Sequence, residues 1–386
     1  MREAASDDPS PMTRITIQPV TTKWQQRGFL EFPWKHYRDD PYWVPPLRGN
    51  QKELVGYAPH PFHDHAEMQT FLAQKDGHIL GRVAAIVNNE HNRRYDEKRG
   101  FFGFFESVDD PDVARGLIEA ASGWLVHRGM TDLRGPCNPS LNYECGLLID
   151  GFDSSPTFMM TYNPPYYANL LEGCGLAKVQ DLFAFWGHID MLDSLDKKLA
   201  FVVDEAKRRF DVKLRSIDRR RFREDLRMFL NIYNESLVGT WGFTPLSDGE
   251  VDHLGASLRH LIVPEMTSIA EVDGRAVGAV FGLLDFNPLI KQIDGRLFPF
   301  GFLRLFWNKR HLKRVRLIST NVLPEYQRWG VGLVLMSRLV PEAFRWGIEE
   351  AEFSWVLEDN HLSRATLERG GAKLTKTYRI YDKPIA

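Results

Sequence analysis

Apolar positions along this chain alternate between two rhythms, one of period two and one near 3.6. Residues 68–73 and 79–87 form apolar stretches of strand length, and the Asp76-Gly77 pair between them predicts a hairpin turn. The aromatic run 100–106 predicts a third strand. Asp110-Pro111-Asp112 then opens a helix, with Asp at the cap, Pro in the first turn and acids near the positive end, and the helix ends near Gly129. A segment rich in Asn, Pro and Gly follows residues 133–135. Pro164-Pro165 opens a helix over 166–172, and 181–187 has the pattern of a closing strand.

The second half repeats this order. Residues 222–237 and 248–261 carry helical apolar spacing. Strands 267–272 and 276–284 flank Asp273-Gly274, a second hairpin signal. Strand 314–323, helix 330–347, strand 351–357, helix 360–369 and strand 375–381 complete the chain. Each half thus reads as hairpin, strand, helix, strand, helix, strand. A strand-helix-strand crossover demands a parallel pair, so the expected fold is α/β, with two domains of mixed, mostly antiparallel sheet flanked by helices. The expected division is 13–190 and 197–386, with a joint near 190–196.

Composition narrows the class. With 386 residues, 43% hydrophobic and 26% charged, the chain suits two soluble globular cores. A net charge of -2 gives no global pull toward nucleic acid, and the basic runs at 207–209 and 219–221 read as solvated helix faces. Three cysteines make no disulfide framework. No apolar run is long enough to span a bilayer. Residues 1–12 are polar and acidic, with Pro9 and Pro11, and lack the apolar core of a secretory signal. These traits predict a disordered tail and a cytoplasmic protein.

The sharpest chemical signal is the stretch 317–332, followed at once by an amphipathic helix. A strand ends at Pro324, and a loop with Gly330 and Gly332 leads into that helix. Bare amides at a helix start, helped by the dipole, suit a diphosphate; the glycines let phosphate oxygens approach, and Arg328 adds a cation. The residues Gln327-Arg328-Trp329-Gly330-Val331-Gly332 resemble the pyrophosphate loop of the GNAT superfamily of N-acetyltransferases, Gln/Arg-x-x-Gly-x-Gly/Ala, at every fixed place. Asn360 and Gly371 match its second region. The resemblance covers roughly 218–385 and extends more faintly to the first half.

The resemblance implies acetyl-CoA or a longer acyl-CoA as co-substrate and direct attack by an amine acceptor. It implies a pantetheine arm paired with the strand at Asn321, Val322 and Leu323, with the Leu323 amide expected to receive the thioester oxygen. It places Gln327, Arg328, Trp329, Gly330, Val331, Gly332 and Asn360 at the cofactor. One departure stands out. Leu367 occupies the place where family members often carry a proton-donating Tyr, so Tyr378 and Tyr381 become candidate acids and Glu358 a candidate base.

The matching turn of the first half has Glu106, Asp109, Asp110 and Asp112 and no glycine pair. Acids there repel a diphosphate, so this half reads as a degenerate copy. Asn138, Asn142 and Asn163, in a polar Pro-rich loop, are candidate acceptor-binding residues. His60, His63 and His65 lack a partner cluster, and no metal is expected. The apolar insertion 297–307 is expected to pack against the other half, or else to cover a lipophilic chain or touch a membrane or partner. Two rival readings are a non-catalytic acyl-CoA sensor or scaffold and an aminoacyl-tRNA-dependent transferase; balanced charge and the intact loop weigh against the second. Self-association is left open.

Overall fold

The computed structural model describes residues 14–194 and 197–386. The expected tail, 1–12, and part of the expected joint lie outside the described residues. The first half contains β1 (Thr16–Pro19), α1 (Lys23–His36), α2 (Arg48–Leu54), β2 (Ala66–Lys75), β3 (His78–Asn88), α3 (Asn89–Tyr95), β4 (Arg99–Ser107), α4 (Pro111–Val126) and β5 (Asp132–Gly135). Short strands β6 (Cys137–Asn138), β7 (Glu144–Cys145) and β8 (Leu147–Asp150) precede α5 (Tyr167–Gly173) and the long β9 (Ala177–His188). The second half contains α6 (Lys197–Phe210), β10 (Lys213–Arg215), α7 (Phe222–Ser236), α8 (Asp248–Leu258), β11 (Thr267–Val272), β12 (Arg275–Leu284), α9 (Asn287–Gln292) and α10 (Gly301–Asn308). It ends with β13 (Arg314–Val322), α11 (Val331–Trp346), β14 (Glu350–Leu357), α12 (His361–Arg369) and β15 (Lys373–Pro384).

Local chemistry accounts for the main elements. Asp110 caps α4 by accepting from the Asp112 amide at 2.9 Å, with Pro111 in the first turn. Ser247 and Glu250 form a reciprocal capping box at α8. In both Asp-Gly turns the two residues have positive φ, 52° and 77° at Asp76 and Gly77, and 50° and 77° at Asp273 and Gly274. That is the turn whose twist matches the flanking strands.

All main strands join one sheet in the order β1-β2-β3-β4-β5-β15-β9-β14-β13-β12-β11-β10. The crossovers through α4 and α11 give the parallel pairs β4/β5 and β13/β14. Each half's last strand, however, lies beside the crossover strand of the other half. β15 pairs with β5, from Tyr381↔Gly135 to Pro384↔Asp132, and β9 pairs with β14 from Glu350↔His188. β9 and β15 then pair with each other along most of their length, so the exchange covers edges that both halves would otherwise expose. α7 packs on β12 through Phe229 and Phe281, whose ring centres are 3.9 Å apart. The second-half core also takes Leu335 and Leu339 from α11.

Candidate active site

β13 and β14 stay paired only from Arg314↔Glu350 to Leu317↔Phe353. Beyond that point β13 follows β12 to Val322↔Gly278, and β14 follows β9 to Leu357↔Leu182. The two strands therefore part and leave a wedge. Antiparallel strands alternate residues that bond their neighbour with residues that face away. The Leu323 amide donates to the Val277 carbonyl at 2.9 Å, so it is engaged with β12 and is not the free donor expected for a thioester oxygen. By the same alternation Asn321 bonds β12, and the backbone groups of Thr320 and Val322 face the wedge.

A bulge in β13 opposite Phe281 and Gly282 inserts one extra residue and re-aims the side chains. Arg316, Ser319 and Asn321 now share the α7 face. Asn321 is buried, and its Oδ1 accepts from Ser236 Oγ at 3.1 Å and Ser319 Oγ at 2.7 Å. Its Nδ2 is buried without a partner, an orphan donor beside the wedge.

Past the wedge mouth, a short 3-10 helix at Pro324–Trp329 leads to Gly330, whose φ of 75° is the left-handed conformation glycine adopts freely. α11 starts at the next residue, and no side chain caps it. Its first amides are thus left without an intrahelical acceptor. Gln327 fixes the turn: its Nε2 donates to the Val322 carbonyl at 3.0 Å and the Ser236 carbonyl at 3.3 Å. Val331 is fully buried, so only its backbone faces the turn. A Cβ on Gly332 would meet only Thr320 Cγ2, at 3.5 Å, so the space over this residue is open. Arg328 is exposed, and the exposed Trp329 ring lies under the Arg209 guanidinium at 3.7 Å.

The expected acid and base residues go elsewhere. Glu358 pairs with Lys178 at 2.7 Å and accepts from the Asp181 amide at 3.2 Å, which ties it to β9. Tyr381 is drawn into the first-half core by the strand exchange, and its hydroxyl donates to Glu172 at 3.2 Å. Its pKa is raised to about 12, chiefly by burial. Tyr378 is fully enclosed beside Arg316 and Glu352, and burial followed by the Glu352 charge pushes its pKa well up, which makes it a poor proton donor. Asn360 caps α12 through the Ser363 amide at 3.1 Å.

The three asparagines hold the fold together. Asn163 Oδ1 accepts from the Leu148 amide at 2.7 Å, while its Nδ2 donates to the Leu148 and Pro164 carbonyls. Asn142 bridges the halves, donating to the Thr244 carbonyl at 2.6 Å and accepting from the Tyr233 hydroxyl at 3.3 Å. Asn138 fills the first-half wedge. β4 and β5 part after Phe101↔Arg134, and the Phe104 amide donates to Asn138 Oδ1 at 2.6 Å. The three histidines go to separate partners: His60 accepts from the Phe62 amide, His63 meets the Glu53 carbonyl and His65 lies 3.7 Å from Glu250.

A family model described as "Acetyltransferase (GNAT) family" matches residues 256–371. Over 375 residues the chain is 35% identical to Protein YghO of Escherichia coli (strain K12), covering 96% of this chain and 95% of that one. Over 384 residues it is 32% identical to Bacterial ceramide synthase of Caulobacter vibrioides, covering 96% and 98%. The chain belongs to the GNAT family. Its fold is that of a tandem member: a tandem GNAT protein from the clavulanic acid biosynthesis pathway superposes with a TM-score of 0.58 at 11% identity, covering 97% of this chain and 99% of that one. Membership makes the protein an acyltransferase enzyme of the N-acyl class. Among the described residues no helix is long and apolar enough to cross a membrane.

Two features of this GNAT chain escaped sequence reasoning. The first is a clamp at the apex of the wedge. The fully buried Arg316 donates to Ser354 Oγ at 2.9 Å and to the Phe158 and Met159 carbonyls at 3.0 and 2.9 Å. Glu352 accepts from Ser354 Oγ at 2.8 Å and from Thr157. Asp285, raised to about 6 mainly by burial, accepts from the Phe158 amide at 3.0 Å. Residues 157–159 of the first half are thereby locked against the second. The second feature is a cavity of about 820 Å3 between the halves. Its walls are mostly apolar, from Val44, Met160, Leu258, Leu261, Phe302 and Leu305. Glu144, on β7, faces into it, and burial pushes this carboxyl up to about 7, opposed by the Arg316 charge. Met160 also lines the cavity and touches Ser354 Oγ at 3.4 Å, so the cavity reaches the wedge apex. Two sequence features hinted at this place: the density of polar residues around 138–144, and the apolar insertion 297–307, which supplies Leu297, Phe298, Phe302, Leu305 and Phe306 to the cavity wall.

Proposed function

We propose that this enzyme moves a long acyl group from acyl-CoA to the amine of a lipid-like amino alcohol. The supporting observation for acyl-CoA is the wedge between β13 and β14, whose mouth ends at the uncapped start of α11. A diphosphate at that helix start places the pantetheine arm along β13, where the Thr320 backbone and the Val322 amide face the wedge. The thioester end then lies toward the apex, and the Thr320 amide is the nearer donor for an oxyanion. A long acyl chain or lipid tail fits the cavity, whose walls are apolar and which reaches the same apex. Similarity to a protein named Bacterial ceramide synthase supports this pairing of donor and acceptor.

Glu144 is proposed as the base. A carboxylate poised near 7 can take a proton from an ammonium acceptor and remain half ionised at neutral pH. The freed amine nitrogen attacks the thioester carbon, the C–S bond breaks, the nitrogen gives its second proton to solvent as the amide forms, and CoA leaves as a thiolate that takes a proton from solvent. The test is thiol release from acyl-CoA donors of increasing length, with sphingoid bases and short amines as acceptors. Faster release with long donors plus a long-chain amino alcohol supports the reading. Release no faster than donor hydrolysis for every pair refutes it.

A further inference from the structure

The insertion between β12 and β13 presents large apolar side chains to solvent. Phe298 is 80% exposed, Phe300 73% and Trp307 74%. On α10, Arg304 and Trp307 follow Phe300 by four and seven residues, so these three share one outward stripe. Phe302 and Leu305 turn the other way and line the cavity. Phe298 and Phe306 line the cavity and also reach solvent, so the cavity mouth lies beside the outward stripe. Residues 287–313 carry six Lys or Arg side chains against one Asp, in a chain of net charge -2. Lys309 stands over the Phe306 ring at 5.8 Å, and Arg304 is exposed.

We propose that the outward face of residues 296–310 docks on an anionic phospholipid bilayer, with the aromatic rings in the headgroup layer and the cavity mouth against the membrane. Aromatic side chains flanked by cations are the composition of an interfacial anchor. A second copy of this chain fits less well. A two-fold contact through this face would set Arg296, Arg304 and Arg310 against the same residues of the other copy, and like charges would meet. The proposal deepens the lipid-substrate reading, but docking requires neither donor nor acceptor, so the two can fail separately.

The test is co-sedimentation of the full chain with vesicles of phosphatidylglycerol and phosphatidylcholine in equal parts, and with phosphatidylcholine alone. The wild-type chain is expected in the pellet with the anionic vesicles only, and less so as salt is raised. Phe300→Ser with Trp307→Ser should lower the partition at least tenfold. Arg296→Glu with Arg304→Glu should lower it at least fivefold per site, as expected for roughly 1 kcal/mol per cation near such a surface. None of these four residues lines the cavity, so unchanged melting and unchanged transfer to a water-soluble amine exclude misfolding. A wild-type chain left in the supernatant overturns the proposal, as do aromatic variants that sediment like wild type. A wild-type dimer that both variant pairs dissolve also overturns it, and assigns the face to a second copy.

Discussion

Replacing Gly332 by Glu should strengthen the free protein and weaken its hold on acyl-CoA. Gly332 is the second residue of α11, its φ is not in the left-handed region, and a Cβ there meets only Thr320 Cγ2 at an ordinary 3.5 Å. Glycine inside a helix is disfavoured by about 0.5–1 kcal/mol, and an acid in the first turn gains about 0.3–1 kcal/mol from the dipole. Even after discounting for a terminal position, melting should rise by roughly 1–3 °C. Against the ligand the sign reverses. A carboxylate about 5 Å from a diphosphate of two charges costs about 1.7 kcal/mol even at the dielectric constant of bulk water, or roughly twentyfold in Kd. Displacement of phosphate from the amides adds to that. Gly332→Ala is the control, since a methyl group fits and carries no charge. Calorimetry with CoA at low and high salt, beside thermal melts, reads both signs. Binding by Gly332→Glu within about threefold of wild type would falsify the diphosphate assignment, and a lowered melting temperature would refute the packing argument.

Three further outcomes follow from the clamp and the cavity. Glu144 has its carboxyl raised from 4.5 to about 7, so the folded chain keeps a proton the unfolded chain has released, and stability falls as pH rises through that window. Glu144→Gln should therefore melt higher than wild type at pH 8 and alike at pH 4, while losing the rise in turnover near neutrality; an unchanged pH-rate profile dismisses Glu144 as base. Arg316→Met strands Glu352 and three carbonyls, and should cost roughly 3–5 kcal/mol in urea unfolding, with most of it regained in Arg316→Met with Glu352→Met. A single-variant loss below about 1 kcal/mol removes the clamp from the account. Leu258→Trp narrows the cavity and should shorten the longest acyl group accepted while sparing short donors; an unaltered chain-length profile places the acyl tail elsewhere.

Local signals made much of this fold legible. Two Asp-Gly turns, one Asp-Pro-Asp cap and one Gly-x-Gly loop mark both hairpins and both crossover helices, because each is decided within a few residues. Strand partnership is not local. β9 and β15 are each 12 residues long, and nothing in their alternation says which crossover strand lies beside them. The exchange therefore went unread, and with it the fate of Tyr381, which serves the first-half core. Arg316 was hidden for a related reason: its neighbours Val315 and Leu317 point to the other face, and a lone cation between them reads as a solvated strand residue. The Leu323 amide was expected to face the thioester and faces β12 instead, because in a strand a step of one residue reverses which side a donor faces.

The contrast between the two wedges explains why one can be a site and the other is not. Diverging parallel strands leave backbone donors unpaired, and burying one costs about 1–3 kcal/mol if nothing answers it. In the first half the chain answers from within. Asn138 Oδ1 meets the Phe104 amide, and the β6 backbone lies so close to β4 that a Cβ on Gly103 would sit 1.7 Å from the Cys137 carbonyl oxygen. No ligand arm can enter there without expelling β6. In the second half no such hairpin lies between the strands among the described residues, and the Nδ2 of Asn321 is buried without a partner. The filled wedge retains a use on the reading proposed here. Its plug is the hairpin β6–β7, and β7 carries Glu144 into the cavity that reaches the open wedge. A first half emptied of its own plug would therefore lose the base of the second, which links the degenerate copy to catalysis through a single two-residue strand.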